Sequence, residues 1–150
     1  MRFPYQGYPV RGIGTTHLML VYRPMASVRI IGPAGDVSAY GLLDTGADDT
    51  LLPDSFLALL GLVNQPGARA TVAGVGGGTI TADFATVDLE LRRGKSVYRW
   101  AATVGFYNGS KAILGQAGVL EHFLASFNHR QRYATLQSNG GLPAPSQGTP

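Results

Sequence analysis

The sequence predicts an all-β domain that closes on itself, and three observations carry that expectation. Glycine is frequent, at 21 of 150 residues, which calls for many turns and hence short strands. Thr79 to Leu91 sets Val87, Leu89 and Leu91 against Asp88 and Glu90, the period-2 alternation of a strand with one wet face. Helical stretches are short and number one or two. A chain of 150 residues suits one domain and can bury a core without staples.

The elements follow in order. Residues 1–15 hold Pro4, Pro9, Gly7, Gly12 and Gly14 and read as a flexible N-terminal arm. The folded domain is expected over 16–137. His17 to Tyr22 is apolar and precedes Pro24, a strand with a stop. Ser27 to Ile31 alternates toward a turn at Gly32 to Asp36, and Val37 to Leu43 continues as the next strand. Asp54 or Ser55 caps a short helix over Phe56 to Leu60, which Gly61 stops. Ser96 to Val104 pairs with the long Thr79 to Leu91 strand across Arg92-Arg93-Gly94-Lys95. A second short helix is predicted over Val119 to Ala125. Phe127-Asn128 and Tyr133 to Gln137 form a closing hairpin around His129 to Arg132. Residues 138–150, rich in Ser, Gly and Pro, read as a disordered tail.

Composition narrows the function classes. Cysteine is absent, so neither disulfides nor thiolate chemistry operate, as suits a reducing compartment. The net charge of +3 comes from scattered basic residues, with small groups at Arg92-Arg93 and Arg130 to Arg132, and does not call for a nucleic acid. No apolar run approaches the ~18 residues of a membrane span. The N-terminus does not order a basic segment, an apolar core and a cleavage site. A cytoplasmic protein without membrane or nucleic-acid partners is expected. His17, His122 and His129 are far apart and read as surface or packing residues.

The chemistry concentrates in Leu42-Leu43-Asp44-Thr45-Gly46-Ala47-Asp48-Asp49. Two apolar residues deliver Asp44 to the end of a strand, and Thr45 and Gly46 turn the backbone sharply. Leu42 and Leu43 lower the local dielectric. The Thr45 hydroxyl can fix the loop. Gly46 lets backbone approach a substrate, and Ala47 keeps the cleft floor small. Asp48 and Asp49 are spaced to meet backbone or side-chain donors. Asp and Gly also suit plain turns, so the tripeptide Asp-Thr-Gly alone leaves an ordinary turn open. Asp44, Asp48 and Asp49 lack the alternating Asp-x-Asp-x-Asp-Gly spacing of a calcium loop, and no metal or other cofactor is expected.

Residues 42–50 resemble the active-site signature of the retropepsin-like aspartic proteases, the family of the retroviral proteases. Three further elements occur in the family's order. Tyr22-Arg23-Pro24 resembles the Arg-Pro near the start of retroviral proteases. Val72 to Gly78 resembles the Gly-rich flap tip, and Ala112-Ile113-Leu114-Gly115 the segment under the catalytic loop. The resemblance spans about Thr16 to Gln137. It implies a closed retropepsin-like, acid-protease β-barrel with one or two short helices, acting as a two-fold dimer on a peptide or protein substrate. It also implies Asp44, Thr45 and Gly46 as the catalytic loop. Ala47, Asp48, Asp49, Leu51, Ala73, Gly74, Val75, Gly76 and Ile113 would meet substrate, and Arg23 and Asp48 would support the dimer. No second Asp-Thr-Gly or Asp-Ser-Gly exists, so the second Asp44 is expected from another copy of the chain. Carboxyl groups about 3 Å apart cannot both ionise, an effect for which aspartic proteases are the standard illustration.

The chain departs from the retroviral pattern in three places. Gln116 stands where an Arg commonly pairs with the residue matching Asp48, and a neutral amide cannot form that charged fork. Gly78 replaces a bulky flap residue. The chain beyond Gly118 is longer, more like bacterial or cellular members. A catalytically idle peptide-binding or dimerisation module is the alternative, although an isolated carboxylate in a costly site argues against it.

Overall fold

The computed structural model describes residues 1–14, 16–63, 67–74, 77–142 and 146–147. In chain order the elements are β1 (Arg2–Pro4), β2 (Gln6–Arg11), β3 (Leu18–Arg23), β4 (Met25–Ile31), β5 (Asp36–Leu43) and β6 (Leu51–Pro53). Then come helix α1 (Phe56–Leu60), β7 (Ala68–Ala73), β8 (Thr79–Arg93), β9 (Ser96–Tyr107) and β10 (Ala112–Leu114). A 3-10 turn (Leu120–His122) leads into β11 (Phe123–Asn128), β12 (Tyr133–Ser138) and β13 (Ser146–Gln147).

Six strands close into a barrel in the order β9-β6-β10-β5-β4-β8, because β8 pairs back onto β9. The closing pair is the longest, with Ala82 opposite Tyr107 at one end and Arg93 opposite Ser96 at the other. Closure removes the free edges that an open sheet would leave. Side chains alternate as the period-2 pattern requires. Val87, Leu89 and Leu91 of β8 and Ala102, Val104 and Phe106 of β9 are all buried. Val28 and Ile30 of β4, Leu43, Leu52 and Leu114 fill the same interior. Glu90, expected on the wet face, is 8% exposed and lies 3.5 Å from the Arg92 guanidinium.

A second, three-stranded sheet runs β1-β12-β11, and its Phe3, Phe123, Ala134 and Leu136 pack into the same core. Within the segment read as an N-terminal arm, Arg2–Pro4 and Gln6–Arg11 are strands. β1 pairs with β12, and β2 pairs with β3 in a separate two-stranded ribbon. Phe3 is 4% exposed within the core. Burying a Phe stabilises by ~1.5–3 kcal/mol, enough to hold a three-residue strand that turn-rich composition argues against. The predicted tail over 138–150 falls partly outside the described residues, and Ser138 itself ends β12.

Helix α1 spans the residues predicted, and Gly61 ends it at φ 76°, where a side chain would be strained. The helix predicted over Val119 to Ala125 is not formed. Only Leu120–His122 coil, and Phe123 to Ala125 are strand. The Phe123 ring meets Trp100 and Tyr98 edge-on, at centroid distances of 5.7 and 5.9 Å, and β11 pairs with β12 along its length. Tertiary packing overrides a weak helical preference there. Among the described residues no helix is long and apolar enough to cross a membrane.

Candidate active site

β5 and β10 run parallel, with Leu42 beside Ile113 and Leu43 beside Leu114. The two apolar segments singled out in the sequence are thus neighbouring strands. Leu43 points inward, so the chain emerging at Asp44 is anchored in the barrel. The Leu43 amide donates to the Pro24 carbonyl at 2.9 Å and the Asp44 amide to Leu114 at 3.1 Å. The Asp44 Oδ1 accepts the Gly46 N–H at 2.9 Å, an Asx-type turn that orients the carboxylate.

A second set of bonds holds the rest of the loop from below. The Gln116 and Ala117 amides each donate at 2.8 Å, to the Ala47 and Asp48 carbonyls. Gly115 permits this approach. A Cβ there would sit 2.3 Å from the Asp49 carbonyl oxygen. Thr50, 0% exposed, donates its hydroxyl to the Ala117 carbonyl at 2.8 Å and accepts the Gly115 N–H at 3.2 Å. The hydroxyl that ties the loop is therefore Thr50, not Thr45 as the sequence suggests. Thr45 is exposed, and its carbonyl accepts the Gln116 side-chain amide at 3.0 Å. Gln116, whose neutral amide cannot form a charged fork, thus supports the loop through a neutral bond. One layer further out, Glu121 accepts the Gly118 amide at 2.7 Å, and the Trp100 indole donates to the Gly118 carbonyl at 2.8 Å.

The loop opens onto a groove of about 430 Å³. Asp44, Gly46, Ala47, Asp48, Asp49, Leu51, Ala73, Gly74 and Ile113 all line it, so residues from three distant stretches of the chain meet in one place. Val72, from the Gly-rich segment, and Ile80, which the sequence does not single out, also line it. They sit directly opposite each other in the β7–β8 hairpin. Alternation backward from Gly74 reaches Val72, and hairpin register then places Ile80 opposite it. The Gly74 amide donates to Gly78 at 2.7 Å, closing the hairpin tip. Val75 and Gly76 lie outside the described residues. At the hairpin's foot Arg69 forks onto Asp83, and its hydrogen bond holds the Asp83 carboxyl below the usual range.

Arg23 lies apart from the groove. It lines a pocket of about 370 Å³ with Tyr8, Tyr40, Leu42 and Lys111, its Cζ 6.0 Å from the Tyr8 ring. Among the described residues it forms no ion pair with Asp48 of its own chain. No group of three acidic or imidazole side chains among the described residues is arranged to hold a metal.

The fold and the loop define the class: a closed β-barrel that presents an anchored carboxylate at the mouth of a groove. The profile of the aspartyl protease family matches residues 26–117, which run from β4 through the loop-supporting segment after β10. The chain belongs to that family. Among solved structures it is similar to EIAV protease complexed with the inhibitor HBY-793, at 23% identity over 63% of this chain and 82% of that chain, with a TM-score of 0.42. No curated protein matches.

Proposed function

We propose that the chain is an aspartic endopeptidase that works as a homodimer, each copy supplying one Asp44 to a shared site. The observation that carries this reading is the Asp44 carboxylate, oriented by the Gly46 N–H, at a groove whose other lining is largely apolar apart from Asp48 and Asp49. One ionised Asp44 takes a proton from water as the water oxygen attacks the scissile carbonyl carbon. The protonated Asp44 of the other copy gives its proton to the carbonyl oxygen. The tetrahedral diol then collapses. Its C–N bond breaks, the amine leaves with the proton held by the first carboxylate, and a hydroxyl proton returns to the second.

The groove supports an extended, largely apolar peptide as substrate. Ala47, Leu51, Val72, Ile80 and Ile113 offer apolar walls. Gly46, Ala73 and Gly74 offer backbone partners, in the manner of an added strand. In this reading the β7–β8 hairpin is a flap, with Val75 and Gly76 completing its tip over the peptide. Arg23 is available for Asp48 of the other copy, where Gln116 leaves the charged fork unfilled. The protease unit is taken as 16–137, and a cytoplasmic setting belongs to the same reading.

A peptide library incubated with the protein at mildly acidic pH tests it, with and without a hydroxyl-bearing transition-state mimic. Cleavage within apolar stretches, blocked by the mimic and fading toward neutrality, is expected because one proton must sit on the Asp44 pair. A rate that climbs steadily from about pH 5 to about pH 8 points to another mechanism. Tight binding of peptides that remain whole would favour the idle-module alternative.

A further inference from the structure

We propose a second binding site, for a phosphate group, in the pocket where the N-terminal strand meets two hairpin turns. Arg2 of β1, Arg93 at the end of β8 and Arg132 in the β11–β12 turn line one open pocket of about 270 Å³, with Gln131 and Tyr133 beside them. Three distant stretches of chain bring three arginines to the lining of this one pocket. No residue of this pocket lines the Asp44 groove.

Among the described residues the three arginines lack counter-charges. Arg29, Arg69, Arg92 and Arg99 each lie within 4.0 Å of a carboxylate, at 2.8, 2.7, 3.5 and 2.7 Å. Arg2, Arg93 and Arg132 have no such partner among the described residues, which include all nine Asp and Glu side chains. Like charges gathered without a counterion repel, and a bound anion relieves that repulsion.

Two of the three are also pre-positioned. The Arg2 Cζ lies 3.7 Å from the Tyr133 ring centroid, and the Arg132 Cζ lies 3.7 Å from that of Tyr22. Stacking occupies the flat face of a guanidinium and leaves its N–H edges for an acceptor. Arg132 is moreover the one described non-glycine residue with positive φ, at 55°. Glycine would sit there without strain, yet the chain carries an arginine. Several forks suit a phosphate monoester, which brings three oxygens and nearly two charges, better than a carboxylate with two oxygens and one charge. The phosphate can be free in solution or carried on a phosphorylated polypeptide side chain.

The test is titration of the full chain with inorganic phosphate at about pH 7.5, where phosphate is mainly dianionic, at fixed ionic strength. Arginine side-chain NMR signals provide the readout. Saturable shifts confined to Arg2, Arg93 and Arg132 are expected. The dissociation constant should rise about 10-fold in Arg93→Gln and in Arg132→Gly, and stay unchanged in Arg11→Gln. Glycine suits the backbone at 132, so an unaltered melting temperature in Arg132→Gly separates lost binding from lost folding. Parallel titrations with a phosphoserine peptide and its unphosphorylated form distinguish the sources. Tighter binding of the phosphopeptide than of inorganic phosphate identifies a polypeptide ligand, and equal or weaker binding a free one. The proposal is overturned by shifts that never saturate, by equal competition from chloride, or by both pocket variants binding like the parent.

Discussion

Replacing Thr50 with Val exchanges a hydroxyl for a methyl of similar size at a position with no solvent exposure. The Ala117 carbonyl loses the hydroxyl donor at 2.8 Å but keeps the Thr50 amide at 3.1 Å, so that loss is about 1 kcal/mol. The Gly115 N–H loses its one described acceptor, and a buried donor left unpaired costs ~1–3 kcal/mol. The added methyl returns about 0.8 kcal/mol of apolar transfer. The net destabilisation is then roughly 1–3 kcal/mol, or a fall in melting temperature of roughly 2–12 °C for a chain of this length. Thr50→Ser keeps both bonds and loses only a buried methyl, about 0.8 kcal/mol. Urea denaturation of the parent and both variants, followed by circular dichroism, gives the comparison. Peptide cleavage measured at equal folded fraction should also fall further for Val than for Ser, because the Gly115–Ala117 segment holds the Ala47 and Asp48 carbonyls. A Val variant as stable as the parent, or more stable than the Ser variant, would refute the claim that the Thr50 hydroxyl holds the loop.

Asp44→Asn should lower peptide cleavage by ~10²–10⁴-fold or more with an unchanged circular dichroism spectrum, since an amide cannot carry the shared proton. Purified variant protein that still cleaves at the parent rate would sink the assignment. Specific activity should fall on dilution, and Arg23→Ala should raise the dimer dissociation constant ~10²–10⁴-fold, because two-fold symmetry removes two charge-assisted contacts worth ~1.5–3 kcal/mol each. Sedimentation and activity over one dilution series decide this, and a monomer with full specific activity contradicts it. Acid should weaken the foot of the β7–β8 hairpin. The Arg69 hydrogen bond keeps the Asp83 carboxyl below its ordinary value near 4, so its contribution is present above about pH 4 and is lost as pH falls through the lowered native value. Melting temperatures of the parent and Asp83→Asn, compared from about pH 6 to about pH 2, should converge at the acid end. The effect is small because the pair is exposed, and parallel curves would disprove it.

The sequence by itself determined what local rules govern. The Thr79 to Leu91 alternation became β8 because period-2 burial follows from backbone geometry. Gly61 ended α1 because a left-handed residue is needed there. The Asp44 loop was legible because its apolar approach and its turn lie in consecutive residues. Tertiary structure decided everything that rests on distant partners. Arg2–Pro4 forms a strand because Phe3 finds a core and β1 finds β12, neither of which is written in a stretch rich in Pro and Gly. Phe123 extends instead of coiling because Trp100 and Tyr98 wait beside it. Thr50 outranks Thr45 because its side chain turns inward toward Gly115 and Ala117, more than sixty residues away, and enclosure makes its hydrogen bonds count. Val72 and Ile80 joined the groove only when hairpin register set them face to face. A hydroxyl or a methyl acquires its role from what surrounds it, and those surroundings exist only once the barrel has closed.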